Sequence, residues 1–255
     1  EYGIDFVKKL NGMFAIAVWD ESRKKLTIAR DRLGQKPLYY AQTSDGLYFG
    51  SELKCLTICD SVSRDLDHEA VFHYFTLGYI PHPWSIYKEV RQLPPAGRLV
   101  ADVNSQTITI DRYWQLEGEI DSQRSQEDAS EELLHLVEDS VKLRMISDVP
   151  LGAFLSGGLD SSIIVSQMAE HSSSPVKTFH IDFAESDYSE KKFARAVADR
   201  FGTEHHELVV NPSAVDVLDD LVDAFDEPFG DSSAVPTWYV SEMTRKHVTV
   251  ALAGD

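Results

Sequence analysis

Ser156-Gly157-Gly158-Leu159-Asp160-Ser161-Ser162 constrains this chain more than any other stretch, because it stands between a strand pattern and a helix pattern. The run before it, Leu151-Gly152-Ala153-Phe154-Leu155, is short and apolar and follows Pro150, as a buried strand would. After it, Ile163, Ile164, Val165, Met168 and Ala169 recur at helical spacing. A glycine pair at such a junction lets backbone approach a ligand closely, and a helix start offers unpaired N–H groups to an anion. The serine hydroxyls add donors, and Asp160 supplies a hard oxygen of the kind Mg²⁺ prefers. These parts describe a cradle for pyrophosphate.

The chain has no Gly-x-x-x-x-Gly-Lys-Ser/Thr sequence, so the loop is not the one in which a lysine reaches the phosphates. It resembles the PP-loop of ATP pyrophosphatases, which split ATP into AMP and pyrophosphate while adenylating a substrate. Some of those enzymes act on tRNA. Here the formal net charge is −18, and a nucleic-acid footprint needs clustered Lys and Arg, so no nucleic-acid partner is expected. No apolar run approaches the ~18 residues of a membrane span, and no signal-peptide pattern is present. Cys55 and Cys59 have no Cys or His pair at ligand spacing near them and read as two ordinary thiols in a reducing cytoplasm. The nine histidines read as surface or packing residues.

Two patterns divide the chain. Across residues 10–115, Met13–Trp19, Leu26–Ala29, Leu38–Tyr40, Leu47–Phe49, Arg98–Val103 and Thr107–Ile110 are apolar runs separated by Gly, Pro and Asp turns. They predict antiparallel hairpins in layers, with a helix near 67–76. Residues 117–128 are polar and acidic, as a linker is. Beyond them Ser125 and Asp128 are positioned to cap a helix with Leu133, Leu136, Val137, Val141 and Met145 on one face. Strands at 176–183, 207–210 and 248–252 then alternate with helices carrying Phe193–Phe201 and Val215–Phe225, which predicts a doubly wound parallel sheet. In such sheets ligands bind beyond the carboxyl ends of the strands. The opening residues read as the tail of a helix, and the chain reads as an internal fragment cut at both ends.

Further blocks narrow the resemblance. Arg30-Asp31-Arg32-Leu33-Gly34-Gln35-Lys36-Pro37-Leu38-Tyr39-Tyr40 and Ser51-Glu52-Leu53-Lys54 resemble the glutaminase domain of glutamine-hydrolysing asparagine synthetases. Asp148–Leu155, the PP-loop, Asp226-Glu227-Pro228-Phe229-Gly230-Asp231-Ser232-Ser233 and Val250-Ala251-Leu252-Ala253-Gly254-Asp255 resemble their synthetase domain. The resemblance implies an α+β layered N-terminal-nucleophile glutaminase part over residues 1–116, a linker at 117–127, and an α/β doubly wound parallel-sheet PP-loop domain over 128–255. It implies ATP and Mg²⁺ as cofactors, glutamine and aspartate or another carboxylate as substrates, and a homodimer.

By position, the resemblance assigns nucleotide contacts to Leu155, Ser156, Gly157, Gly158, Asp160, Ser161, Ser162, Ile181, Ala253 and Gly254. Many relatives carry serine where Ala253 stands. It assigns the metal to Asp160 and adenylate formation to Asp255. The family's catalytic cysteine must be the first residue of the mature enzyme, so neither Cys55 nor Cys59 fills that role. Arg30, Asp31, Gly34, Pro37 and Glu52 are expected to support the glutaminase sheet. Whether the acceptor is aspartate or a different carboxylate stays open at this point.

Overall fold

The structure is a computed structural model that describes residues 2–118, 123–183, 190–210 and 214–254. It divides into two compact units, one of Glu1–Glu119 with Val222–Asp231, the other of Ile120–Leu221 with Ser232–Asp255.

After a 3-10 helix at Gly3–Lys9, the first unit runs β1 (Ala15–Asp20), β2 (Lys25–Arg30), β3 (Tyr39–Gln42), β4 (Leu47–Gly50), α1 (Lys54–Thr57), α2 (His68–Leu77), β5 (Val90–Gln92), β6 (Gly97–Asp102) and β7 (Thr107–Arg112). The strands form two antiparallel sheets, ordered β1-β2-β6-β7 and β4-β3-β5. Two hairpins turn by the same device. Asp20 Oδ1 accepts from the backbone N–H groups of Ser22 and Arg23, and Asp102 Oδ1 from those of Asn104 and Ser105. Lys24 and Gln106 then take positive φ, at 52° and 55°. A short acceptor on the last strand residue closes the turn locally, which is why aspartate stands there. Ile28, Leu38, Leu93 and Leu99 form a buried cluster that Tyr40 and Leu47 join, so it draws on both sheets.

The Arg30–Lys36 corner is held by two buried charges. Arg30 donates to the carbonyls of Gly34, Lys36 and Leu93. Asp31 accepts from the backbone N–H groups of Phe14, Leu33, Gln35 and Lys36. Burial opposes ionisation of Asp31, but these four donors hold its carboxyl below the ordinary range. In the same unit Glu227 accepts from the Tyr39 hydroxyl, the Gln92 side-chain amide and the Ile86 N–H. There burial prevails, and the Glu227 carboxyl is pushed up.

The second unit contains α3 (Gln126–Met145), β8 (Leu151–Phe154), α4 (Leu159–His171), β9 (Lys177–Phe183), α5 (Lys191–Phe201), β10 (Glu204–Val210), α7 (Ala234–Arg245) and β11 (Val250–Leu252). Helix α6 (Ala214–Phe225) precedes α7. The strands are all parallel, in the order β10-β9-β8-β11. Helices cover both faces. Val141, Ala153, Leu155, Val165, Met168, Ala194 and Ala198 pack α3, α4 and α5 on one side. Phe179, Val240, Met243 and Val248 pack α7 on the other.

Several expectations change in detail. Ser125 does cap α3, accepting from the Asp128 N–H at 3.0 Å. Only the C-terminal half of its apolar stripe is covered, however: Val141 is buried, whereas Leu133 and Leu136 are exposed. On α6 Val217 is buried, whereas Val215, Leu218 and Val222 are exposed. Strand β5 and helix α7 were not anticipated, and β10 begins at Glu204 rather than 207. Among the described residues no helix is long and apolar enough to cross a membrane.

Candidate functional site

Strand order reverses between β8 and β11: the chain proceeds from β8 to β9 and β10 on one side, and β11 joins on the other. At such a switch point the connections leave the sheet in opposite directions and open a crevice at the carboxyl ends of the strands. The loop Ser156–Gly158 follows β8 directly, and Ala253-Gly254 follows β11.

Gly157 has φ of 87°, and a Cβ there would lie 2.4 Å from the Ala194 backbone nitrogen. The loop is thus pressed against the first turn of α5, and only a glycine fits. A Cβ on Gly254 would lie 2.7 Å from the Ser161 backbone nitrogen, so the chain after β11 passes as closely over the start of α4. Within the loop, Ser156 Oγ accepts from the Gly158 N–H at 3.1 Å and meets Ser161 Oγ at 3.0 Å. Ser162 Oγ donates to the Gly158 carbonyl at 2.6 Å. Gly158 caps α4 with its backbone alone, which leaves the first-turn N–H groups without partners inside the helix.

Phe154, Ser156, Gly158, Asp160, Ser161, Ala253 and Gly254 surround a cleft of about 220 Å³. Six of these seven residues were identified from sequence, and they come from segments nearly a hundred positions apart. A larger hollow of about 460 Å³ is lined by Arg112–Glu117. Those are six consecutive residues of one extended stretch, so it gathers nothing from distant sequence.

Four expected residues lie outside the lining. Leu155 is buried in the core, and Ile181 packs with the Phe179 cluster. Gly157 is spent on the contact with α5, and Ser162 ties the loop to α4. Asp255 lies outside the described residues. Phe154 also lines the cleft and was not expected there, because an apolar strand residue carries no signal of facing a cavity. Behind the loop, the His180 ring bonds the Leu155 carbonyl. Among the described residues Asp160 is the one carboxylate in the lining, and no group of three or more His, Cys, Asp and Glu is placed to hold a metal.

Compared with known proteins, residues 132–255 match the asparagine synthase family and residues 1–114 match the glutamine amidotransferase domain. The chain is 41% identical, over 257 residues, to putative asparagine synthetase (glutamine-hydrolyzing) 2 of Methanocaldococcus jannaschii, with 99% of this chain and 50% of that protein covered. Against asparagine synthetase (glutamine-hydrolyzing) 1 of Bacillus subtilis the identity is 35% over 255 residues, covering 100% of this chain and 40% of the relative. Against asparagine synthetase (glutamine-hydrolyzing) 3 of the same organism it is 34% over 272 residues, covering 100% and 44%. The chain spans half or less of the length of these relatives.

Proposed function

The chain belongs to the glutamine-hydrolysing asparagine synthetase family, and on that premise we propose that the protein carrying it is an ATP-dependent amide ligase converting aspartate to asparagine with ammonia from glutamine. In this reading the side-chain carboxylate of aspartate bonds to the α-phosphorus of ATP. The bond from that phosphorus to the bridging oxygen breaks, and pyrophosphate leaves with the electron pair. Ammonia then adds to the acyl carbon of the β-aspartyl-adenylate, loses a proton, and AMP departs.

The observation that carries the proposal is the cleft where the loop after β8 meets the turn after β11. Its volume, about 220 Å³, is below the ~300–1,000 Å³ of pockets that hold a whole drug-sized ligand, and suits the phosphate end of a nucleotide. Phosphoryl chemistry asks a protein for charge neutralisation and positioning. Here the first-turn N–H groups of α4 and the hydroxyls of Ser156 and Ser161 would face the phosphates. Gly157 and Ser162 would keep the loop in shape, Ala253 and Gly254 would border the nucleotide, and Leu155 and Ile181 would support it from the packed strands behind.

Mg²⁺ fits this donor set, since it is commonly held by one or two carboxylates together with substrate phosphates. Asp160 would be the protein ligand, and a bound Mg²⁺ would supply charge neutralisation at the leaving pyrophosphate. Asp255 belongs to the proposal as the acidic residue of adenylate formation. So does the division into an amidotransferase part at 1–116, a linker at 117–127 and a synthetase part at 128–255.

Asp160→Ala tests the reading. In the full-length protein it should lower aspartate-dependent ATP–pyrophosphate exchange by about 100-fold or more, the effect of removing one fixed electrostatic partner from a reacting centre. Glutaminase activity should persist. Exchange within tenfold of wild type would sink the assignment.

A further inference from the structure

Resting on the nucleotide reading above, we propose that His180 is a positioning residue for the phosphate loop. Its imidazole fixes the Leu155 carbonyl, and through it the conformation in which Ser156–Gly158 meet the phosphates of ATP. His180 lies in β9, where side chains alternate between faces. Phe179 and Ile181 face α7, so His180 is turned to the other face. It is 4% exposed, and its Nδ1 is 3.0 Å from the Leu155 carbonyl oxygen. A carbonyl only accepts, so Nδ1 carries the proton.

The other ring nitrogen, Nε2, is buried with no partner. A leucine at this position would fill the face without bringing in an unpartnered nitrogen of its own, so packing alone does not call for histidine. What the ring does accomplish is the bond to Leu155.

Leu155 is where that bond matters. Its N–H already donates to the Phe179 carbonyl at 2.9 Å, so with His180 in place both of its backbone groups are held by β9. The next residue is Ser156, and one further on Gly157 is pinned against α5. The loop is therefore clamped from two sides before it reaches the cleft.

The ring itself is held in turn. It stacks on His205 with centroids 6.4 Å apart and planes at 25°. His205 Nδ1 shares a hydrogen bond with Thr178 Oγ1 at 2.8 Å, and that hydroxyl meets Thr203 Oγ1 at 2.9 Å. Beyond them Glu207 is paired from α5 by Lys191 at 3.2 Å and Arg195 at 2.8 Å. Burial, and then the Arg195 guanidinium, hold the His205 imidazole below its usual range against the opposing pull of Glu207.

Two conservative variants of the full-length protein separate the bond from the bulk. In His180→Asn the side-chain amide nitrogen takes the place of Nδ1, and in His180→Gln it takes the place of Nε2. Both lose the ring, so any packing loss is common to them. Titration calorimetry with MgATP should give a dissociation constant for His180→Asn within about threefold of wild type, and one for His180→Gln weaker by about tenfold or more. Glutaminase activity should be the same in both.

Equal ATP affinities for the two variants would overturn the assignment while leaving the nucleotide reading intact. If His180→Gln does not fold, His180→Asn decides by itself, since a tenfold loss there also overturns it. A wild-type protein that binds no ATP would overturn the nucleotide reading and the inference together.

Discussion

At Gly157 an added methyl would sit 2.4 Å from a backbone nitrogen of α5, and the residue already takes φ of 87°. At Gly158 the same methyl would meet only Ser156 Oγ, at 3.3 Å, with an ordinary extended backbone. The two glycines therefore serve different ends. Gly157→Ala should lower the stability of the second unit by roughly 1–3 kcal/mol, through strain and overpacking, whereas Gly158→Ala should stay within about 0.5 kcal/mol. Urea titration followed by hydrogen exchange of the α4 and α5 amides would measure both, and equal losses would contradict the distinction. Sequence made the loop legible because Gly, Ser and Asp each carry a stereochemical meaning there. It did not separate Ser156, which lines the cleft, from Ser162, which ties down the Gly158 carbonyl, because bonds to backbone leave no mark in residue identity. His180 was illegible for a related reason: a lone histidine has no spacing to read.

At the scale of elements, two carboxyls anchor loops of the first unit with opposite pH signatures. Asp31 fastens the turn after β2, and its carboxyl is held below the ordinary 3.8. Its stabilisation is complete above that unfolded value and is lost as pH falls through the lower folded value. Glu227 holds the segment that includes Asp226–Gly230, and burial raises its carboxyl above the ordinary 4.5. Its contribution is complete below 4.5 and is lost as pH rises through the raised value. Unfolding of the first unit, which carries Trp19, Trp84 and Trp114, can be followed by fluorescence. Asp31→Asn should flatten the acid limb of stability against pH. Glu227→Gln should gain on wild type as pH climbs above 4.5. A Glu227→Gln difference that is constant with pH would show that the carboxyl is not perturbed.

Most elements were legible from periodicity, and the exceptions have local causes. Strand β5 is three residues long, and its strand character comes from pairing with β3 at Tyr39, Tyr40 and Ala41. Helix α7 carries Pro236 in its first turn, where a missing N–H costs nothing, although a proline reads as a break in a linear pattern. In α3 and α6 the apolar residues sit at helical spacing, but neighbours decide which of them are covered.

Across the whole molecule, the cleft exists because parallel strands separate at a switch point, and that is a property of strand order. The sequence pattern indicated a parallel sheet and marked the loop after β8, and the family resemblance supplied the turn after β11. That β11 lies next to β8, bringing those loops together, follows only from the fold. Family membership and the cleft together make the acceptor the central claim. The most direct test is AMP formation by the full-length protein with ATP and Mg²⁺, supplied with aspartate or with other carboxylates, and with glutamine or ammonia as nitrogen source. AMP should accumulate only when aspartate is present, with either nitrogen source. AMP release that ignores aspartate and follows another carboxylate would contradict it.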